Sequence, residues 1–142
     1  MQVPPASEES IKELLSQPIV AKVASTSKSG DIRITPIWFG DEGATILMNT
    51  FEDSELVKNL RRNPKCSLLI DSPTFPYVGV HYWGSATVEG PENDVEGIAK
   101  LFTPYRGDVD TAREYAKTLI GWGTRVYVRF RPTRQKSWDF RG

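Results

Sequence analysis

Lys58, Arg61, Arg62 and Lys65 recur at i, i+3, i+4 and i+7, the spacing that lines four cations along one stripe of a helix. That helix begins shortly after Asn49-Thr50, so its first N–H groups and positive dipole end fall beside a strand end, a place suited to a phosphate. The same stripe also describes a solvated helix face, and the spacing leaves both readings open. Arg33 and Trp38 lie on one predicted strand, on opposite faces by parity unless Pro36 shifts the register. Arg33 is either an anion contact or an exposed strand residue. His81 is the only histidine, flanked by Tyr82 and Trp83. Without a second His, a Cys pair or a carboxylate pair nearby it does not point to a metal site. No Ser or Cys sits in a nucleophile elbow, so it does not point to a catalytic triad either. It reads as a packed strand residue or a ligand contact. The glycines form neither a phosphate loop nor a strand followed by G-x-G-x-x-G, which argues against nucleotide hydrolysis and a dinucleotide fold. Trp38, Trp83, Trp122 and Trp138 exceed the needs of a small core, and planar ligands stack on such rings.

The chain that must position these groups has 142 residues, enough for one domain over 1–142 with its own core. Eighteen basic residues balance eighteen acidic ones, so no nucleic-acid or membrane partner is expected from overall charge. The single cysteine, Cys66, excludes an internal disulfide and fits a reducing compartment. Glu8 and Glu9 stand where a secretion signal would be basic, and no apolar run reaches the roughly 20 residues of a membrane span. A cytoplasmic location is the expectation.

Periodicity predicts a first helix over Ser7–Leu15, capped by Ser7, and a strand over Ile19–Ser25 ending in a turn at Ser27–Asp31. A second strand follows over Ile32–Phe39, with Pro36 marking a sheet edge or bulge. Ala44–Thr50 returns as the third. The cationic helix starts near Asp53 or Ser54 and stops at Asn63-Pro64. Cys66–Asp71 and the long Tyr77–Glu89 are strands, the latter with Gly84 as a bend or close approach. Two amphipathic helices follow, around Val95–Phe102 and Ala112–Leu119, the second capped by Asp110 and stopped by Gly121. A last strand over Arg125–Arg131 places Val126, Val128 and Phe130 inside and Arg125, Tyr127, Arg129 and Arg131 outside. Six mostly antiparallel strands with peripheral helices predict a mainly β, α+β domain closed into a small barrel.

The order Arg33-Ile34-Thr35-Pro36-Ile37-Trp38, Asp41, Asn49-Thr50 and Asn63-Pro64-Lys65-Cys66-Ser67-Leu68-Leu69-Ile70 resembles the pyridoxamine 5'-phosphate oxidase-like, FMN-binding split-barrel superfamily. Gly84-Ser85-Ala86 matches its G-x-A, and Trp122-Gly123-Thr124-Arg125-Val126 and Ser137-Trp138-Asp139-Phe140 look like its closing motifs. The resemblance runs from about Ile11 to the C-terminus. It implies a six-stranded split barrel, a homodimer with a cofactor at each subunit interface, and FMN contacts at Arg33, Trp38, Asn49, Thr50 and Trp138. Thr35, Pro36 and Ile37 would line the ring, Ser54 and Lys58 the phosphate, and Trp83 would wall the pocket. The short chain ending in Ser137–Phe140 is closest to the flavin/deazaflavin oxidoreductases, which use FMN or coenzyme F420.

The implied activity is hydride transfer to or from a small organic substrate, chemistry that needs positioning more than a tuned acid or base. The chain lacks the distal substrate segment of the vitamin B6 enzyme, so that activity is not expected. Where the family carries a basic pair that grips the phosphate, this sequence has Glu55 and Leu56. A carboxylate there repels a phosphate by about 1 kcal/mol or more in a partly exposed site. The alternatives are therefore an F420-dependent reductase, or a non-catalytic module that binds a flavin or another planar ligand. A plain scaffold dimer using Tyr82 and Trp83 as interface is a further one.

Overall fold

A computed structural model describes residues 2–142. Ser7 caps α1 (Glu8–Leu15) by accepting from the Ser10 N–H, and Ile11, Leu14 and Leu15 bury one face of the helix. Six strands follow: β1 (Ala21–Thr26), β2 (Ile32–Ile37), β3 (Phe39–Asp41), β4 (Ile46–Phe51), β5 (Lys65–Asp71) and β6 (Val78–Glu89). Between β4 and β5 lies α2 (Glu55–Arg62), capped by Ser54, whose hydroxyl accepts from the Val57 N–H. After β6 come α3 (Val95–Arg106), α4 (Val109–Trp122) and β7 (Arg125–Asp139).

The strands form one sheet in the order β2-β1-β5-β6-β7-β4-β3, antiparallel at every pairing. The sheet curls until β2, on one edge, touches β4 near the other. Alternate side chains point into the curl, where Val23, Met48, Leu68, Ile70, Val80, Val128 and Phe130 are wholly removed from water. Residues of α1 and α2 join this core. A second core lies on the opposite face of β4 and β7, where Ile98, Ala99, Phe102, Ala112, Ala116 and Leu119 of α3 and α4 close over Tyr127.

The sheet has seven strands rather than the expected six. The segment read as a single strand over Ile32–Phe39 breaks at Trp38: β2 pairs with β1, while β3 crosses to pair with β4. Pro36 sits on an edge strand, as its missing N–H requires. The last strand runs on to Asp139 because the long β6 offers it partners throughout. Its register slips between Trp83 and Gly84, leaving Thr133 as an extra residue of a bulge. The cap of α4 is Asp108, which accepts from the Thr111 N–H, not Asp110, and its C-cap is Gly123, not Gly121. Arg125 and Tyr127, expected outside, are buried, because α3 and α4 cover that face.

Candidate functional site

Where the ends of β2 and β4 approach, they border an open cavity of about 340 Å³. Pro36, Ile37 and Trp38 wall it from β2, and Asn49, Thr50 and Phe51 from β4. Phe102, Tyr115 and Leu119 roof it from α3 and α4, and Arg125 enters from β7. Five of the residues expected to contact a cofactor, Pro36, Ile37, Trp38, Asn49 and Thr50, thus meet in one place although four strands separate β2 from β4 in the sheet order. Closure of the curl brings them together.

Aromatic packing fixes the cavity's shape. Trp38 stacks on Tyr105 at 4.6 Å and 12° and meets Phe102 edge-on at 5.1 Å. Tyr105 is itself anchored: its hydroxyl donates to the Ile19 carbonyl at 2.8 Å and accepts from the Phe39 N–H at 3.0 Å. Burial raises its pKa, so it remains a neutral donor.

Arg125 escaped sequence analysis, although it stands in the quoted Trp122–Val126 segment. Its guanidinium lies 4.3 Å above the Phe51 ring. Nε donates to Asn49 Oδ1 at 2.8 Å and Nη2 to the Asn49 carbonyl at 3.3 Å. Asn49 Nδ2 donates to the Val126 carbonyl at 3.0 Å, so both atoms of the Asn49 amide have a partner within the chain. Burial pulls the Arg125 pKa down to about 10, which still leaves it charged at neutral pH. The signal that could have found it is a cation alternating with Tyr127 on a strand face that the preceding two amphipathic helices need to cover.

The other expected contacts lie elsewhere. Ser54 spends its hydroxyl on capping α2. Lys58 pairs with Glu55 at 3.5 Å and lines a separate depression with Lys28 and Arg62. The expected four-cation stripe is broken, because α2 ends at Arg62 and Lys65 opens β5, while Arg61 meets Glu52 at 3.5 Å and Arg62 donates to Asn59 Oδ1 at 2.8 Å. Leu56 is a core residue, so no cation fits at its position. Arg33 is exposed on β2, opposite Ser25. Trp83 lines a wider hollow of about 560 Å³ with Ala24, Cys66 and Ser85, over β1, β5 and β6 and apart from the cavity. It lies between His81, at 3.7 Å, and the Arg134 guanidinium, at 4.1 Å. Desolvation, and then Arg134, lower the His81 pKa and favour its neutral form. Trp138 lies flat against Gly79 across the β6–β7 pair, where a Cβ would meet its indole. Burial pushes the Cys66 thiol up to about 12, away from nucleophilic reactivity.

Thr35 stands opposite Val23, and its Oγ1 is buried with no partner among the described residues. A buried hydroxyl left unpaired costs about 1–3 kcal/mol. Thr35 faces the inner core beside Val23 and does not line the cavity, so the uncompensated charge of Arg125 is what a polar ligand edge there can satisfy. Thr35→Val should therefore stabilise the ligand-free protein by about 1 kcal/mol. In urea unfolding, a loss of stability instead would mean the hydroxyl has a partner.

Among the described residues no three His, Cys, Asp or Glu side chains converge to hold a metal ion, and no helix is long and apolar enough to cross a membrane. Comparison with solved structures supports the fold. A conserved hypothetical protein of Mycobacterium tuberculosis superposes with a TM-score of 0.81 at 24% identity, over 98% of this chain and 88% of that one. An F420 reductase gives 0.65 at 20% identity, over 87% and 94%. An FAD-binding protein of Mesorhizobium loti gives 0.65 at 17% identity, over 96% of each chain. No curated protein matches the sequence. Residues 7–138 match the pyridoxamine 5'-phosphate oxidase family. With nearly its whole length inside that match and its sheet curled as in these relatives, the chain belongs to the pyridoxamine 5'-phosphate oxidase family.

Proposed function

We propose that this protein is an oxidoreductase that binds FMN, or alternatively coenzyme F420, and passes a hydride to or from a small organic substrate. The observation that carries the reading is the cavity at the β2–β4 junction, where Pro36, Ile37, Trp38, Asn49 and Thr50 meet. When bound, the ring system supplies the redox chemistry. The chain's own residues position it: Pro36, Ile37 and Trp38 flank the ring at the open mouth of the cavity, leaving the Arg125 end to the substrate. The phosphate would lie outside that cavity, on Ser54 and Lys58 at the start of α2 and on the exposed Arg33 of β2 in place of the usual basic pair, with Lys58 leaving Glu55 to reach it.

The same reading makes the protein a homodimer. Ile32 and Ile34 are 76% and 68% exposed on edge strand β2, an apolar surface that monomers seldom leave open. By alternation they share the outer face of the sheet with Trp83 and Trp138. That face would bring Trp83 and Trp138 of one copy toward the cofactor of the other.

The test is a spectrum of the purified protein followed by addition of each cofactor. A flavin band bleached by reductant, or saturable binding of FMN or F420, is the expected result. Lys58→Ala should weaken FMN affinity about threefold, the worth of one exposed ion pair. Unchanged affinity in a flavin-fluorescence titration would remove Lys58 from the phosphate site. The Glu55 carboxylate and the buried Leu56 favour a second reading, a planar-ligand-binding module with no redox role. A colourless protein that ignores both cofactors would select it.

A further inference from the structure

We infer that the cavity at the β2–β4 junction takes a small planar organic monocarboxylate, its carboxylate on Arg125 and its apolar body among Trp38, Phe102 and Tyr115. Its role as the substrate of the proposed hydride transfer rests on that reading; the binding itself does not.

Arg125 is only 4% exposed and pairs with no carboxylate among the described residues. Arg61, Arg113, Arg129 and Arg141, all at the surface or half-buried, each meet an acidic partner. Arg33, Arg62, Arg106, Arg131 and Arg134 also meet no carboxylate but are exposed to water, so Arg125 is the buried guanidinium left without a counter-charge among the described residues. A buried charge is heavily penalised unless an opposite charge and hydrogen bonds compensate it, so this arrangement is complete only with an anion. Asn49 takes Nε and Nη2, while Nη1 has no protein partner, and the residue lines the cavity. The guanidinium is held from below by the Phe51 ring and from the side by Asn49, so it is already oriented to receive an oxygen.

The remaining walls set the rest of the ligand. Trp38, Phe102 and Tyr115 offer ring faces and Leu119 an apolar one, with Asn49, Thr50 and Tyr115 as the other lining residues that carry hydrogen-bonding groups. One cation balances one negative charge; a phosphate dianion would leave an excess charge desolvated among aromatic rings. A cavity of about 340 Å³ accommodates a single substituted ring. The competing source of an anion is the cofactor's phosphate, and the experiment separates the two.

The intact protein is titrated calorimetrically with sodium benzoate, benzamide, inorganic phosphate and FMN. Benzoate should bind at one site, at least tenfold more tightly than benzamide, and phosphate should not displace it. Arg125→Gln removes the cation, and Asn49→Asp adds a counter-charge in the same shape; each should weaken benzoate at least tenfold and benzamide by less than threefold. Equal affinity for benzoate and benzamide overturns the inference, as does displacement by phosphate or retention of benzoate by both variants. The benzoate–benzamide comparison uses the native chain, so failure of a variant to fold does not shelter the claim. FMN binding without benzoate binding overturns this inference alone. Benzoate binding with no affinity for FMN or F420 upholds it and overturns the oxidoreductase reading.

Discussion

Gly84→Ala should lower the stability of the folded chain by about 3 kcal/mol or more, read as a fall of roughly 10 °C in Tm. Gly84 lies inside the sheet, opposite Cys66 on β5 and Pro132 on β7. A Cβ built there overlaps the Arg131 carbonyl oxygen and comes within 3.0 Å of the Phe130 ring. The first obstacle is backbone in a paired strand, and the second is a side chain completely removed from water. Neither can retreat without unpairing β6 from β7 or opening the core. Gly79 provides the contrast on the same strand. There a Cβ meets the Trp138 indole, a side chain at the partly exposed outer face that can turn aside. Gly79→Ala should therefore cost about 1 kcal/mol and change the tryptophan emission. Urea unfolding of both variants checks the pair. If Gly84→Ala stays within about 1 kcal/mol of the native protein, the bulge does not hold β7 where it is placed.

The same bulge shows what could be read from the sequence. Gly84 marked a close approach because a glycine in a strand of otherwise β-forming residues has a local meaning. The two Ser caps, the amphipathic faces of all four helices and the buried Val126, Val128 and Phe130 were local in the same way. What the sequence hid was non-local. Phe39 continues the alternation of Ile37, so nothing nearby says that β3 leaves β1 for the opposite edge of the sheet. Arg125 and Tyr127 alternate correctly with the core residues; alternation tells which face they take, but not that α3 and α4 cover it. Asp108 and Asp110 both suit a helix cap, and only the chain's entry angle after Gly107 selects the first. For the site, the order of motifs picked out the ends of β2 and β4. The cation among them came into view only when the sheet closed and its missing counter-charge could be seen.

Trp38→Ala should cost about 3 kcal/mol in the protein without any cofactor, whereas Trp38→Phe should cost about 1 kcal/mol. A residue that serves only to touch a ligand leaves the empty protein's stability unchanged when it is truncated. Trp38 sits where β2 ends and β3 begins, and its ring is stacked on Tyr105 and edge-on to Phe102. Those two rings belong to α3, and Tyr105 is tied in turn to the Ile19 carbonyl and the Phe39 backbone. Truncation therefore loosens the helical layer from both edges of the curled sheet at once. Phenylalanine keeps one ring against that layer and loses only part of the stack. Urea unfolding without FMN or F420 measures the first effect, and cofactor titration of Trp38→Phe measures what the indole adds beyond packing. A loss below about 1 kcal/mol for Trp38→Ala would mean that the junction stands without it. The cavity would then be shaped by the helices alone.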